Sequence, residues 1–131
     1  MDLKQLYQDI ILEHGKNPRN LGKCKGYNHD ASGYNPLCGD KVHVYLKMDN
    51  KKKVEGLTFE GDGCAISLAS ASIMTELVQG KSFEEAKEIM NAFLNMIKNT
   101  SEIQSNYLDE DQKTKLMSLS GVKQYPMRVK C

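Results

Sequence analysis

The stretch that decides the fold is VEGLTFEGDGCAISLASASIMTEL, residues 54–77. Its first part brings Leu57 and Phe59 onto one side of an extended chain, which is typical of a half-buried β-strand. The alternation breaks once before Leu57, which predicts a bulge at Gly56. After a Gly-Asp-Gly tripeptide, apolar residues recur at helical spacing. A strand is therefore expected to end just before Cys64, and a helix to begin there.

Further strands and helices are predicted on both sides of this stretch. Apolar and polar residues alternate over 42–48, which predicts a strand. A lysine-rich turn joins it to the strand that contains Leu57 and Phe59. Another short strand is expected near 27–34, so the sheet is small and antiparallel. Apolar spacing, caps and helix breakers predict three helices besides the one that begins near Cys64. The first is expected over 2–14, with Gly15 as its C-cap. The third should follow a Ser82–Glu85 capping box, and a short fourth should lie between Asp109 and Gly121.

Length and composition are those of a single globular domain. The chain has 131 residues, of which 40% are hydrophobic and 27% charged, so we expect one domain spanning residues 1–131. A net charge of +1 gives no electrostatic reason to expect nucleic-acid or membrane binding. No apolar run reaches the roughly 20 residues of a membrane helix, and no signal-peptide pattern opens the chain. A cytoplasmic location is therefore expected.

The four cysteines, at positions 24, 38, 64 and 131, are widely spaced. No CxxC pair is present, which argues against a zinc ribbon, a zinc finger or a thioredoxin-like redox site. In a reducing cytosol they should not form structural disulfides. Any site that they share must be assembled from distant segments. Cys24, between two lysines in a polar loop, is best explained as an incidental surface thiol.

Two internal segments carry side chains suited to one metal ion. Cys38 and Asp40 flank Gly39, which can adopt a positive φ and so let both side chains turn toward one point. Cys64 lies at a predicted helix N-terminus, where free N–H groups and the helix dipole stabilise a thiolate. We therefore expect these three side chains to act together.

The C-terminal segment adds a third cysteine, Cys131. Arg128 and Lys130 precede it, and neighbouring cations favour a thiolate. Three thiolates and one carboxylate form a chemically sensible tetrahedral set for Zn²⁺, and the two cations would offset part of the excess negative charge. A carboxylate binds a soft metal less strongly than a thiolate does. The mixed set therefore suggests a metal or cluster that exchanges.

Several of these stretches resemble the U-type iron–sulfur cluster assembly proteins, the IscU/SufU family. The resemblance is carried by LYQDIILEHGKNPRN at 6–20, NPLCGD at 35–40 and FEGDGCAISLASAS at 59–72. The segment between Cys64 and Cys131 is long, as in the SufU branch of the family. Residues 98–120 of this chain resemble the insertion that is typical of that branch. Lys130 stands where IscU proteins have a histidine, and the Leu-Pro-Pro-Val-Lys motif of IscU proteins is absent.

The resemblance implies an α+β fold of the SufE/IscU-like type, with a small three-stranded antiparallel sheet and helices packed on one face. It implies that Cys38, Asp40, Cys64 and Cys131 bind zinc. It also implies that Cys38 accepts sulfur from the persulfide of a SufS-type cysteine desulfurase, with zinc keeping this cysteine as a thiolate until the partner docks. Arg128 matches a basic position of the family near the site.

Three functions are left open at this point. The leading hypothesis is a zinc-dependent, sulfurtransferase-like sulfur acceptor. The second is a scaffold on which a [2Fe–2S] cluster is assembled by the same residues and passed to apo iron–sulfur proteins, with Asp40 making the cluster more labile. The third is a structural zinc or interaction module without sulfur chemistry, which metal removal would unfold.

Overall fold

The computed structural model describes residues 3–36, 39–98, 105, 107–126 and 129. Within these residues the elements are α1 (Leu3–Lys16), β1 (His29–Asn35), β2 (Asp40–Met48), β3 (Val54–Asp62), α2 (Ala65–Val78), α3 (Phe83–Lys98), α4 (Glu110–Ser118) and a 3₁₀-helix (Leu119–Gln124). The strands are those predicted, with ends shifted by a few residues. The Ser82–Glu85 capping box and the Asp109 N-cap are both confirmed.

The three strands form an antiparallel sheet in the order β1-β2-β3. Val44 and Leu46 of β2 pack together with residues of β3, α2 and α3, so the helices cover this face of the sheet. The ladder between β2 and β3 shifts where Met48 pairs with Val54 and Lys47 pairs with Gly56, which confirms the predicted bulge. The α+β fold with a three-stranded antiparallel sheet is therefore confirmed.

The core lies between the sheet and the helices. Phe59 of β3 and Ile73 of α2 are fully buried, and Ile89 and Met96 of α3 belong to the same apolar interior as Ile73. Small residues along α2, such as Ala69 at 0% exposure, allow neighbouring elements to approach closely. None of the helices in the described residues is long and apolar enough to cross a membrane.

Two glycines that were predicted to end helices have a different role. Helix α1 continues through Gly15 to Lys16, and a Cβ added at Gly15 would lie 3.2 Å from the Cβ of Ala65. Gly121 does not end the helical segment either, because a 3₁₀-helix follows α4 directly and includes Gly121. A Cβ there would lie 2.7 Å from the ring of Tyr7. Both positions are therefore sites of close packing, and the predictions of helix ends were wrong.

A buried polar cluster joins the end of α1 to α2. His14 is 2% exposed, and its Nδ1 lies 2.7 Å from Ser72 Oγ, which also accepts the N–H of Arg19 at 2.7 Å. Burial lowers the pKa of His14 from its ordinary value of 6.5, and the charge of Arg19 lowers it further, against opposing effects of Glu76 and Glu13. His14 is therefore a buried packing residue that favours its neutral form.

This cluster predicts an acid-sensitive contribution to stability. The unfolded chain binds a proton on His14 near pH 6.5, the ordinary value, whereas the folded chain resists it. The free energy of unfolding should therefore fall as the pH drops below about 6.5, with no contribution from His14 above that value. In His14→Gln this dependence should weaken, while His29→Gln, at an exposed histidine, should retain it.

The measurement is the urea midpoint of each chain from about pH 8 to about pH 5. Besides Arg19, Glu76 and Glu13, the charge of Lys115 acts on His14, and like that of Arg19 it lowers the pKa of His14. Identical pH profiles for His14→Gln and the unaltered chain would contradict the prediction.

Candidate metal site

Cys64 occupies the junction between the sheet and α2. Strand β3 ends at Asp62 and α2 begins at Ala65, so Cys64 is the N-cap residue, with φ −73° and ψ 164°. Its Sγ accepts a hydrogen bond from the N–H of Ser67 at 3.4 Å. The predicted placement of a cysteine at a helix N-terminus is thus confirmed, and the first turn of the helix supplies a donor to its sulfur.

Asp40 is the neighbour of Cys64 across the sheet end. It is the first residue of β2 and only 4% exposed. Its Oδ1 accepts the N–H of Cys64 at 2.8 Å, while its Oδ2 lies 3.9 Å from Cys64 Sγ. One carboxylate oxygen is therefore fixed by the backbone, and the other lies beside the sulfur.

The environment of Asp40 fits a cation-binding role. A buried carboxylate is unfavourable unless hydrogen bonds and an opposite charge compensate for lost hydration. Within the residues that the structure describes, Asp40 forms no salt bridge with a lysine, arginine or histidine. Thiolate and carboxylate are both zinc ligands, so a zinc ion would supply the missing positive charge.

The structure brings together two of the four predicted ligands, Asp40 and Cys64. Between Cys38 and Asp40, Gly39 has φ +73°, which confirms the predicted positive φ. Cys38, Cys131 and the supporting Arg128 and Lys130 lie outside the described residues. Among the described residues alone, no group of three or more potential ligands is assembled. The roles of these other residues stay predictions.

Cys24 lies far from this pair. Its Sγ is 3.1 Å from the position of a Cβ added at Gly56, near the start of β3, whereas Asp40 and Cys64 lie at the end of that strand. At the rise of an extended strand, Gly56 and Asp62 are roughly 20 Å apart. Cys24 is therefore separate from the candidate metal site.

A second polar cluster, on the sheet face away from the helices, was not predicted. His43 lies on this face, with its Nε2 2.7 Å from Asp30 Oδ2 and its Nδ1 2.7 Å from Ser32 Oγ. Its ring packs 4.5 Å from that of Tyr45, whose hydroxyl donates to Glu60 at 2.5 Å. This hydrogen bond raises the pKa of Tyr45 to about 12. These partners depend on cross-strand register, so no local sequence signal identified them.

Fold and site together define a class of small α+β proteins in which a cysteine and a buried carboxylate lie side by side where a strand meets a helix. The chain belongs to the NifU-like N-terminal domain family, whose model matches residues 6–131. The resemblance to U-type iron–sulfur cluster assembly proteins is confirmed by this match and by relatives named SufU and IscU.

Relatives of two kinds match nearly the whole chain. The zinc-dependent sulfurtransferase SufU of Bacillus subtilis is 38% identical, with 99% of this chain and 84% of the relative covered. The iron–sulfur cluster assembly scaffold protein IscU of Streptococcus pyogenes is 36% identical, with 98% and 77% covered. A crystal structure from Fervidobacterium islandicum, of a candidate iron–sulfur cluster assembly scaffold protein for the SUF system, superposes with a TM-score of 0.81 at 35% identity, covering 97% of this chain and 88% of that one.

Proposed function

We propose that this protein serves iron–sulfur cluster assembly as a zinc-dependent sulfur acceptor, in which Cys38 receives sulfur from the persulfide of a SufS-type cysteine desulfurase. The observation that carries the proposal is the buried Asp40 carboxylate, held by the N–H of Cys64 and adjacent to its sulfur. The SufU relative of 38% identity supports the same reaction. In this proposal residues 1–131 act as one domain in the cytoplasm.

The proposed zinc ligands are Cys38, Asp40, Cys64 and Cys131. Cys38 comes two residues before Asp40 in the sequence, and Asp40 lies at the same end of the sheet as Cys64. Bound zinc would keep the cysteine ligands deprotonated at neutral pH. The positive side chains of Arg128 and Lys130 would balance part of the negative charge that remains.

The sulfur-transfer step needs a nucleophilic thiolate at Cys38. This thiolate attacks the terminal sulfur of the desulfurase persulfide, and a new S–S bond forms on Cys38. The S–S bond within the desulfurase breaks at the same time, and the desulfurase cysteine leaves as a thiolate. Sulfur keeps its oxidation state, so no external oxidant or reductant is required.

The alternative is a scaffold on which a [2Fe–2S] cluster is assembled and then passed to apo iron–sulfur proteins. It is supported by the IscU relative of 36% identity. Thiolates suit such clusters, and the Asp40 carboxylate beside Cys64 would be the weaker ligand that allows release. Both functions would use the same residues. They differ in what these residues carry, which is a single sulfur atom in one case and a [2Fe–2S] cluster in the other.

The two functions are separated by one pair of incubations. With a cysteine desulfurase and cysteine, the zinc-loaded chain should gain the mass of one sulfur atom, and the desulfurase should turn over several-fold faster. With iron and sulfide under anaerobic conditions, a sulfur acceptor should hold no stoichiometric cluster, whereas a scaffold should form one and transfer it. A chain that takes up neither sulfur nor a cluster, and unfolds when zinc is chelated, would contradict both and favour a structural zinc module.

A further inference from the structure

Gly63 immediately precedes Cys64 and directly faces Asp40. A Cβ added at Gly63 would overlap with Asp40 Oδ1 and would lie 3.0 Å from its Cγ and 3.1 Å from its Cα. Real Cβ atoms are essentially never found so close to fixed neighbours, so no side chain fits there while Asp40 keeps its position. The φ of Gly63 is not positive, so the need for glycine comes from space and not from backbone conformation.

Other glycines near this end of the sheet differ from Gly63. A Cβ at Gly61 would meet the carbonyl oxygen of Lys41 at 2.8 Å, which is a contact with the strand backbone. A Cβ at Gly33 of β1 would meet no atom within 4 Å. Among these three glycines, Gly63 alone is opposed by the side chain of a proposed metal ligand.

The space left by Gly63 permits the contacts that define the site. Asp40 can lie against the start of α2 only because no side chain separates it from the backbone there. From that position its Oδ1 reaches the N–H of Cys64 at 2.8 Å, and its Oδ2 lies 3.9 Å from Cys64 Sγ. Two proposed ligand atoms are thus held close to each other.

We propose that Gly63 is a positioning residue, which sets the Asp40 carboxylate against Cys64. A ligand pair that is already oriented loses little conformational freedom when a metal binds, so its orientation raises metal affinity. The consequence for zinc rests on the proposed function. The positioning itself is a matter of packing between Gly63 and Asp40, so it can be tested on protein from which metal has been removed.

The first test measures zinc affinity of Gly63→Ala by competition with a chromophoric chelator. We expect the affinity to fall roughly 10- to 100-fold, the range found when residues that orient metal ligands are changed. Gly33→Ala, where a methyl group meets nothing, should bind zinc as the unaltered chain does. An unchanged affinity in Gly63→Ala would overturn the inference for the metal.

The second test is a double-mutant cycle on the metal-free chain, with urea unfolding in the presence of a chelator as the measurement. Alanine at position 40 removes the overlapping oxygen and the Cγ, while the 3.1 Å approach to Cα remains. Gly63→Ala should therefore reduce the folding equilibrium constant about tenfold in the unaltered chain, but much less in Asp40→Ala. Equal losses in both backgrounds would overturn the positioning role.

Two further outcomes concern folding of the variants and zinc binding by the unaltered chain. If Gly63→Ala fails to fold, folding of Asp40→Ala/Gly63→Ala would support the inference, and failure of this double variant would overturn it. If the unaltered chain binds no zinc, the proposed function fails, while the cycle on the metal-free protein still decides whether Gly63 positions Asp40.

Discussion

A Cys38→Ala chain is expected to take up no sulfur from a cysteine desulfurase, whereas a Cys24→Ala chain should take it up at the rate of the unaltered protein. Alanine has no nucleophilic atom to attack the persulfide sulfur, so transfer to this position becomes impossible. Cys24 lies beside Gly56, at the other end of the sheet from Asp40 and Cys64. The measurement is intact mass after incubation with desulfurase and cysteine, followed by peptide mapping of the modified cysteine.

The Cys24→Ala chain is the matched control, because it loses one thiol outside the proposed site. Circular dichroism should confirm that both variants are folded, since Cys38 is also a proposed zinc ligand. Sulfur uptake by Cys38→Ala at the unaltered rate would remove Cys38 as the acceptor. Loss of uptake in Cys24→Ala would instead assign the reaction to the lysine-flanked loop.

The second large effect concerns the core, where Phe59→Ala should lower the free energy of unfolding by about 3 to 5 kcal/mol. Phe59 is 0% exposed in β3, and its backbone is fixed by hydrogen bonds with Asn20 at 3.0 Å and Gly22 at 2.7 Å. Since the surrounding chain cannot collapse freely, truncation of the ring should leave a cavity. Small domains are stable by about 5–15 kcal/mol, so this loss would be a large share.

Phe83→Ala is the matched control, because Phe83 is 44% exposed at the first turn of α3. Its truncation should cost about 1 kcal/mol or less, as is usual for partly exposed positions. Urea unfolding of the metal-free chains measures both values. Equal losses for the two variants would show that Phe59 is not a central packing residue.

The elements with a clear period were predictable from the sequence. Strand β2 and helix α2 have apolar residues at spacings of two and of three to four, and burial on one face dictates such patterns. The bulge at Gly56 was visible because it broke the alternation. Gly15 and Gly121 were misread as helix ends, because their need for glycine comes from Ala65 and Tyr7, residues far away in the chain.

The site was predictable only in part, for the same physical reason. A cysteine after a strand and two glycines predicted the N-cap position of Cys64, which is a local property. The burial of Asp40, its hydrogen bond to the N–H of Cys64 and the close approach of Gly63 depend on the pairing of β2 with β3. Such long-range register cannot be inferred from neighbouring residues. Among the other proposed site residues, Cys38 and Cys131 remain predictions.

The central position of β2 has a consequence for how the protein tolerates thermal fluctuation. Asp40 pairs with Asn35 of β1, and the adjacent Lys41 pairs with Asp62 of β3, so the start of β2 is anchored from both sides. Local opening events in folded proteins begin at edges and loops with few contacts. Fraying of either outer strand therefore leaves the start of β2 paired with the other strand, so the backbone that carries the Asp40 carboxylate keeps its position.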